Sequence, residues 1–173
     1  MKIKKMLFLS LMVAQSLLLF LLESLIPIPF VAPGAKIGLS NIITVICLYI
    51  LSFKDTFIVV ILKIFLSTLF GGTLSSLLYS LFGGLLSLVS MYIVKKAFKD
   101  KISVLGVSIV GSIFHNIGQL IAASLVVQSF NIFVYFPVLM IAGLIAGILV
   151  GVVSKYLLIQ FEKIGFIKKL KDM

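Results

Sequence analysis

Six apolar runs, separated by short polar or helix-breaking segments, form the pattern of this chain. The runs cover about residues 6–25, 39–53, 56–70, 73–94, 102–127 and 134–158. A membrane-spanning helix needs about 20 apolar residues, so the second and third runs are only just long enough to cross. The pattern predicts an all-α integral membrane protein, folded as a single domain of six transmembrane helices.

Composition supports a membrane location. Of the 173 residues, 62% are hydrophobic, whereas ordinary soluble domains contain about 45–50%. The net charge of +10 could suit nucleic acid in another context. Here most lysines lie between the apolar runs, where such residues set topology and contact anionic lipid. We therefore expect the lipid bilayer, and no nucleic acid, as a partner.

The lysines also predict an orientation. If both termini lie inside the cell, the loops and termini on that side carry 13 lysines, and the other side carries only Lys36. Cytoplasmic loops of membrane proteins are enriched in lysine and arginine. The sequence therefore predicts that the amino and carboxyl termini are both inside (N-in, C-in).

The fifth run carries a polar face. Ser108, Ser112, His115, Asn116 and Gln119 fall within about 100° of arc on one helix. Polar side chains inside a membrane usually face the bundle interior or a cavity. These residues could hydrogen-bond between helices or could line a ligand site. A single histidine without neighbouring carboxylates predicts no metal site.

Lys63 lies within the third run, where an ammonium costs several kcal/mol unless it is paired, hydrated or able to reach the interface. It could pair with Glu23 in a structural role, or it could bind an anionic ligand. We expect the polar groups to meet in the outer half of the bundle, with Asn41 near the outer face, below a loop over residues 26–38. The candidate ligand-binding residues are Lys36, Asn41, Lys63, Ser67, Ser112, His115, Asn116 and Gln119. The candidate lid residues are Pro33, Gly34 and Gly38.

Two runs carry small residues at helical spacing, which allow helix backbones to approach closely. The residues predicted to pack helices are Ser80, Gly83 and Ser87 on the fourth run, and Gly143, Gly147 and Gly151 on the sixth.

Motifs for catalysis are missing from the sequence. It contains no glycine-rich phosphate loop, no paired carboxylates within a run and no nucleophile elbow. Cys47 is the only cysteine, so neither a disulfide nor a thiolate metal site is possible within the chain. We expect no cofactor and no catalytic activity from this chain alone.

Four segments resemble a known family: PGAKIGLSN at 33–41, FGGT at 70–73, SLFGGLLS at 80–87 and GSIFHNIGQ at 111–119. They are similar to the bacterial membrane family labelled heptaprenyl diphosphate synthase component I, also called the Gx transporter family. The six-helix arrangement is similar to the substrate-binding S-components of energy-coupling factor (ECF) transporters. The resemblance implies a multi-pass protein of the bacterial cell membrane with a link to isoprenoid or quinone metabolism.

Three functions remain open at this point. The leading hypothesis is a substrate-binding subunit of an uptake transporter, which takes a small, anionic and partly apolar molecule and assembles with an ECF-type coupling subunit and ATPases. The alternative is a non-catalytic membrane anchor for a soluble polyprenyl diphosphate synthase. Such synthases hold magnesium with aspartate-rich motifs, whereas this chain has only Asp55, Asp100 and Asp172. A small channel or ion-coupled carrier acting alone is the third.

Overall fold

The computed structural model describes residues 3–25, 38–71 and 73–165, and every regular element in these ranges is a helix. The all-α prediction is confirmed. The α-helices are α1 (Ile3–Ser24), α2 (Asn41–Ile50), α3 (Phe53–Gly71), α4 (Leu74–Phe98), α5 (Val104–Val127) and α6 (Phe136–Lys163), and 3-10 turns cover Lys99–Lys101 and Phe130–Tyr135.

Four segments are long and apolar enough to cross a membrane. They are Ile3–Ser24, Leu74–Phe98, Val104–Val127 and Phe130–Lys163. The membrane class predicted from the sequence is therefore supported, and the count of six spans stays a prediction. Helix α3 has 19 residues but carries three charged residues, Lys54, Asp55 and Lys63.

Helix α2 is shorter than the apolar run that predicted it. Its ten residues rise about 15 Å, which is half the thickness of the hydrocarbon core. Two local features set its limits. Gly38 has a φ of 83°, which is incompatible with a helix, and Leu51 is extended, with φ −117° and ψ 173°.

Contacts place α2 in one half of the bundle. The Ser16 hydroxyl of α1 donates to the carbonyl of Ser40, which precedes α2, across 3.3 Å. Ser16 lies about 20 Å along α1 from its first residue. At the other end of α2, Lys95 Nζ in the last turns of α4 donates to the Leu48 carbonyl across 2.7 Å. Helix α2 therefore begins near mid-depth and ends where α4 ends.

The exposed lysines of the described residues lie at one end of the bundle. Helices α1 and α3 begin there side by side, since Lys5 Nζ lies 2.8 Å from Asp55 Oδ2. Helix α6 approaches the same end, because Gly151 packs against Leu105 at the start of α5. We call this the basic end; its exposed lysines are Lys4, Lys54, Lys96, Lys99, Lys101, Lys155 and Lys163.

The Lys5–Asp55 pair predicts a pH dependence. Burial raises the pKa of the Asp55 carboxyl, but hydrogen bonds from Lys5 and Ser52 and the Lys5 charge outweigh burial, so the net pKa is lowered. A carboxyl whose pKa is depressed on folding contributes stability that is present above its ordinary pKa and is lost as the pH falls through its folded pKa. Asp55 precedes the apolar run 56–70 that predicted the third span. It contacts Lys5, which is partly exposed.

We expect the unfolding temperature of the wild type in detergent to fall more steeply from about pH 5 to about pH 3 than that of Asp55→Asn. The pair should contribute about 1 kcal/mol to the free energy of unfolding. Glu162→Gln, which changes an exposed acid, serves as the control and should follow the wild type. Parallel curves for the wild type and Asp55→Asn would contradict the stabilising role of the pair.

Backbone contact joins α5 to both of its neighbours. A Cβ added at Gly118 of α5 would lie 2.5 Å from the Phe82 carbonyl oxygen of α4, and one added at Gly147 of α6 would lie 2.6 Å from Ile109 Cα of α5. Contacts this close leave no space for a side chain. They hold the middle of α5 at a fixed position between α4 and α6.

Candidate functional site

Helix α4 passes between α3 and α5 at its Gly83–Gly84 pair. A Cβ at Gly84 would lie 2.9 Å from Cδ1 of Ile64, the residue after Lys63, and a Cβ at Gly83 would lie 3.0 Å from Cε1 of His115. The two glycines therefore let α3 and α5 approach α4 at the same level. The local reason is steric: a Cβ at Gly83 would meet the His115 backbone oxygen at 3.0 Å, whereas a Cβ at Gly84 would meet only side-chain atoms of α3.

Lys63 and His115 are both buried inside the bundle. Their relative exposures are 7% and 8%, and they belong to the segments of α3 and α5 that pack on the Gly83–Gly84 pair. Lys63 lies about 12 Å along α3 from Asp55, and His115 lies about 16 Å along α5 from Val104. Since both helices begin at the basic end, the two side chains belong to the same middle layer.

Asn41 is the first residue of a helix that is shorter than the span predicted for it. The sequence placed Asn41 near the outer face, at the start of a full span. In the structure it begins the ten-residue α2 and is buried; its position relative to the outer face stays a prediction. The Ser16 hydroxyl contacts the residue before Asn41.

His115 has an unsatisfied ring nitrogen. Its Nδ1 has no hydrogen-bond partner among the described residues, and neither do the hydroxyl oxygens of Ser87 and Ser108. The Ser87 hydroxyl lies 3.2 Å from the Cβ position of Gly111, on the same contact between α4 and α5. Buried polar atoms are usually paired with protein or ordered water. These three atoms are therefore left available for a hydrogen bond from outside the described residues.

The polar face of α5 divides between two neighbours. His115 and Gln119 pack against Gly83 of α4. Asn116 instead donates from Nδ2 to the Leu139 carbonyl of α6 across 2.7 Å. The Ser112 carbonyl also contacts α6, 3.3 Å from the Cβ position of Gly143. The structure therefore separates the Asn116 side chain, which faces α6, from His115 and Gln119, which face α4.

Ser67 lies one helical turn beyond Lys63 and is buried. Its hydroxyl donates to the Ile64 carbonyl of its own helix across 2.9 Å. That bond occupies its only proton, so Ser67 could serve a ligand only as an acceptor.

Glu23 is the residue whose role the sequence did not reveal. Its two carboxylate oxygens accept the backbone N–H groups of Gly38 and Leu39, directly before α2, and its exposure is 3%. The start of a helix carries partial positive charge and attracts an anion. Glu23 supplies that anion from the end of α1. The only sequence signal for this contact is an acid at the end of one apolar run before a Gly-Leu-Ser turn that opens the next.

The remaining predicted residues divide into two groups. Pro33, Gly34 and Lys36 lie outside the described residues, so the lid stays a prediction. Gly143, Gly147 and Gly151 of α6 lie against α5, Gly83 and Ser87 of α4 also lie against α5, and Ser80 is half-buried. No group of three histidine, cysteine, aspartate or glutamate residues in the described ranges could hold a metal ion.

A family model matches most of the chain. The model of a family described as heptaprenyl diphosphate synthase component I matches residues 12–157. The matched range includes Glu23, Lys63, His115 and most of the basic end. No curated protein and no solved structure matches the chain.

Proposed function

The chain belongs to the heptaprenyl diphosphate synthase component I family, and from this premise we propose that it is a non-catalytic membrane subunit of a polyprenyl diphosphate synthase. The family match over residues 12–157 carries the proposal. The placement of the aspartates supports a non-catalytic role. Asp55, Asp100 and Asp172 lie far apart in sequence, and Asp55 is paired with Lys5. Catalysis and the magnesium that holds a diphosphate would belong to a soluble partner.

The basic end is the proposed docking surface. The exposed lysines among its described residues would attract a partner surface rich in carboxylates and speed its association, and salt would weaken the complex. A polyprenyl product carries a long apolar chain, which favours transfer into hydrocarbon. A synthase held at the bilayer surface could release this product directly into the membrane.

In this proposal all six α-helices are embedded in the membrane and the basic end faces the cytoplasm. The lysine distribution supports that orientation. Helix α2, whose residues are almost all buried, would then be enclosed by the other helices, whereas α3 would present an exposed apolar face to lipid, with Leu62, Phe65 and Leu69 on it.

Cell fractionation tests the proposal. In cells that contain this chain, we expect a catalytic polyprenyl diphosphate synthase subunit to sediment with membranes, and to become soluble when the chain is deleted. Wild-type protein should restore sedimentation, and a variant with Lys54, Lys96, Lys99 and Lys155 changed to glutamine should not. A synthase whose distribution is the same with and without the chain would contradict the proposal.

A second candidate function rests on the middle layer. Lys63 and His115 are buried at the same level, and His115 Nδ1 is unpaired among the described residues, which favours a substrate-binding subunit for a small, anionic and partly apolar molecule. An ECF-type coupling subunit with ATPases would then be the partner. Lys63 would neutralise the charge of the ligand, and His115 and Gln119 would orient it by hydrogen bonds.

Lys63→Met separates the two candidates. The change keeps the approximate length of the side chain and removes its charge. For a substrate-binding subunit we expect a folded protein whose affinity for its copurifying anionic ligand falls by about 2 kcal/mol, roughly thirtyfold. Lys99→Met, at an exposed position, is the control and should bind like the wild type. Mass spectrometry of retained ligand gives the measurement, and unchanged retention in Lys63→Met would reject this candidate.

A further inference from the structure

A second polar region lies at the basic end, away from the middle layer. A cavity of about 210 Å³ opens there between the end of α2, the start of α3 and the end of α4. Four apolar or aromatic side chains and two lysines line it: Leu48, Leu51, Phe53, Tyr92, Lys95 and Lys96. The walls therefore combine positive charge with hydrocarbon.

Lys95 is held in place before any ligand arrives. Its Nζ donates to the Leu48 carbonyl across 2.7 Å and lies 4.2 Å from the centre of the Tyr49 ring. A carbonyl at a helix end and an aromatic face both attract a cation. Neither carries a full negative charge, and one carbonyl uses one of three ammonium donors. Two donors therefore remain for a ligand.

Lys96 supplies the second charge. Its Nζ lies 5.9 Å from the centre of the Tyr92 ring, and Tyr92 in turn packs on Phe53 with ring centres 4.4 Å apart. The ion pair of Lys5 with Asp55 does not involve Lys95 or Lys96. The cavity thus presents two ammonium groups without a carboxylate from the described residues.

We propose that this cavity binds the phosphate or diphosphate head group of a membrane amphiphile. Two ammonium groups match a phosphate-bearing anion, and the apolar walls match the first carbons of its chain. Cavities that enclose a drug-sized ligand measure about 300–1,000 Å³, so this smaller one takes a head group and leaves the chain in the bilayer. An anionic phospholipid and a prenyl diphosphate share this chemistry.

Native mass spectrometry of the full chain in detergent micelles tests the proposal, with no synthase present. The probes are phosphatidylglycerol, farnesyl diphosphate, zwitterionic phosphatidylcholine and inorganic diphosphate. We expect one equivalent of phosphatidylglycerol or of farnesyl diphosphate to bind more tightly than phosphatidylcholine or inorganic diphosphate. Whichever of the first two binds more tightly identifies the source of the head group.

Matched variants test whether the probe binds in this cavity. The double change Lys95→Gln and Lys96→Gln should weaken the preferred probe about tenfold or more. The double change Lys99→Gln and Lys101→Gln removes the same charge from the same end and should stay within about twofold of the wild type. Equal losses in both double variants, or no loss in either, would overturn the proposal.

A further variant is used because the loss of Lys95 could displace the end of α2. Lys96→Gln leaves the Lys95 contact with Leu48 intact and should still weaken binding severalfold. If the Lys95 and Lys96 double variant fails to fold, an unchanged affinity in Lys96→Gln overturns the proposal. Because the assay contains no synthase, its outcome is independent of whether the chain anchors one.

Discussion

Gly118→Ala is expected to lower the free energy of unfolding by about 3 kcal/mol, the upper part of the range for overpacking a tight interior. The added Cβ would lie 2.5 Å from the Phe82 carbonyl oxygen and 2.8 Å from Gly83 Cα. Both atoms belong to the backbone of α4, which cannot rotate away as a side chain can. The two helices must separate, and the separation would also move His115 away from Gly83.

Thiol labelling measures this effect. Cys47 is the only cysteine and is fully buried in α2, so a thiol-reactive dye reports unfolding as temperature rises. Gly84→Ala is the matched control, because its Cβ would meet only the far end of the Ile64 side chain, at 2.9 Å, which can move. An equal shift of the transition in both variants would contradict the backbone contact between α4 and α5.

Glu23→Gln is expected to cost about 2–3 kcal/mol and to loosen α2 first. The carboxylate accepts two backbone N–H groups, from Gly38 and Leu39. The glutamine amide keeps one oxygen for these two donors, while its NH₂ group faces an N–H and repels it. A buried N–H would lose its partner, and the start of α2 would lose the negative charge that stabilises it.

The same thiol reports this change locally. Cys47 should label faster in Glu23→Gln than in the wild type below the main unfolding transition, because opening of α2 exposes it. Glu162→Gln is the control, since Glu162 is exposed near the end of α6, and it should label at the wild-type rate. If Cys47 is equally protected in Glu23→Gln, the carboxylate does not hold α2.

Hydropathy predicted most of the fold. Helices α1, α4, α5 and α6 lie within a few residues of their apolar runs because a long run satisfies its backbone only as a helix in hydrocarbon. The limits of α2 were not predictable in this way. Leu39 and Ser40 belong to the apolar run that predicted the second span. In the structure the positive φ of Gly38 and the contact of Glu23 with Gly38 and Leu39 prevent a helix there, so α2 begins only at Asn41.

The sequence predicted that the polar residues of the candidate site are buried, but it predicted only partly how their side chains are arranged. Lys63 and His115 are costly in hydrocarbon, which is reason enough to expect them in the interior, and both are buried there. Asn116 is adjacent to His115 in sequence, so it points about 100° away around the helix and bonds to Leu139 of α6. A helical-arc argument places residues on one face but does not reveal where two neighbouring helices divide that face.

The pattern of charge follows from the same physics. Buried charges are held by specific partners, as Glu23 is by two backbone N–H groups, whereas most lysines remain exposed at the basic end. That end carries the proposed docking surface and the cavity of Lys95 and Lys96. The middle layer, about 12–16 Å deeper, is separate from both, so variants at one level should leave the other unchanged.

Binding of a purified catalytic polyprenyl diphosphate synthase subunit to this protein in phosphatidylcholine nanodiscs tests the central claim most directly. The account predicts saturable binding that weakens as salt is raised and falls about tenfold or more when Lys54, Lys96, Lys99 and Lys155 are all changed to glutamine. Empty nanodiscs provide the control. Binding no greater than to empty nanodiscs, combined with recovery of the chain from native membranes in a complex with ATPases, would contradict the claim and favour the substrate-binding function.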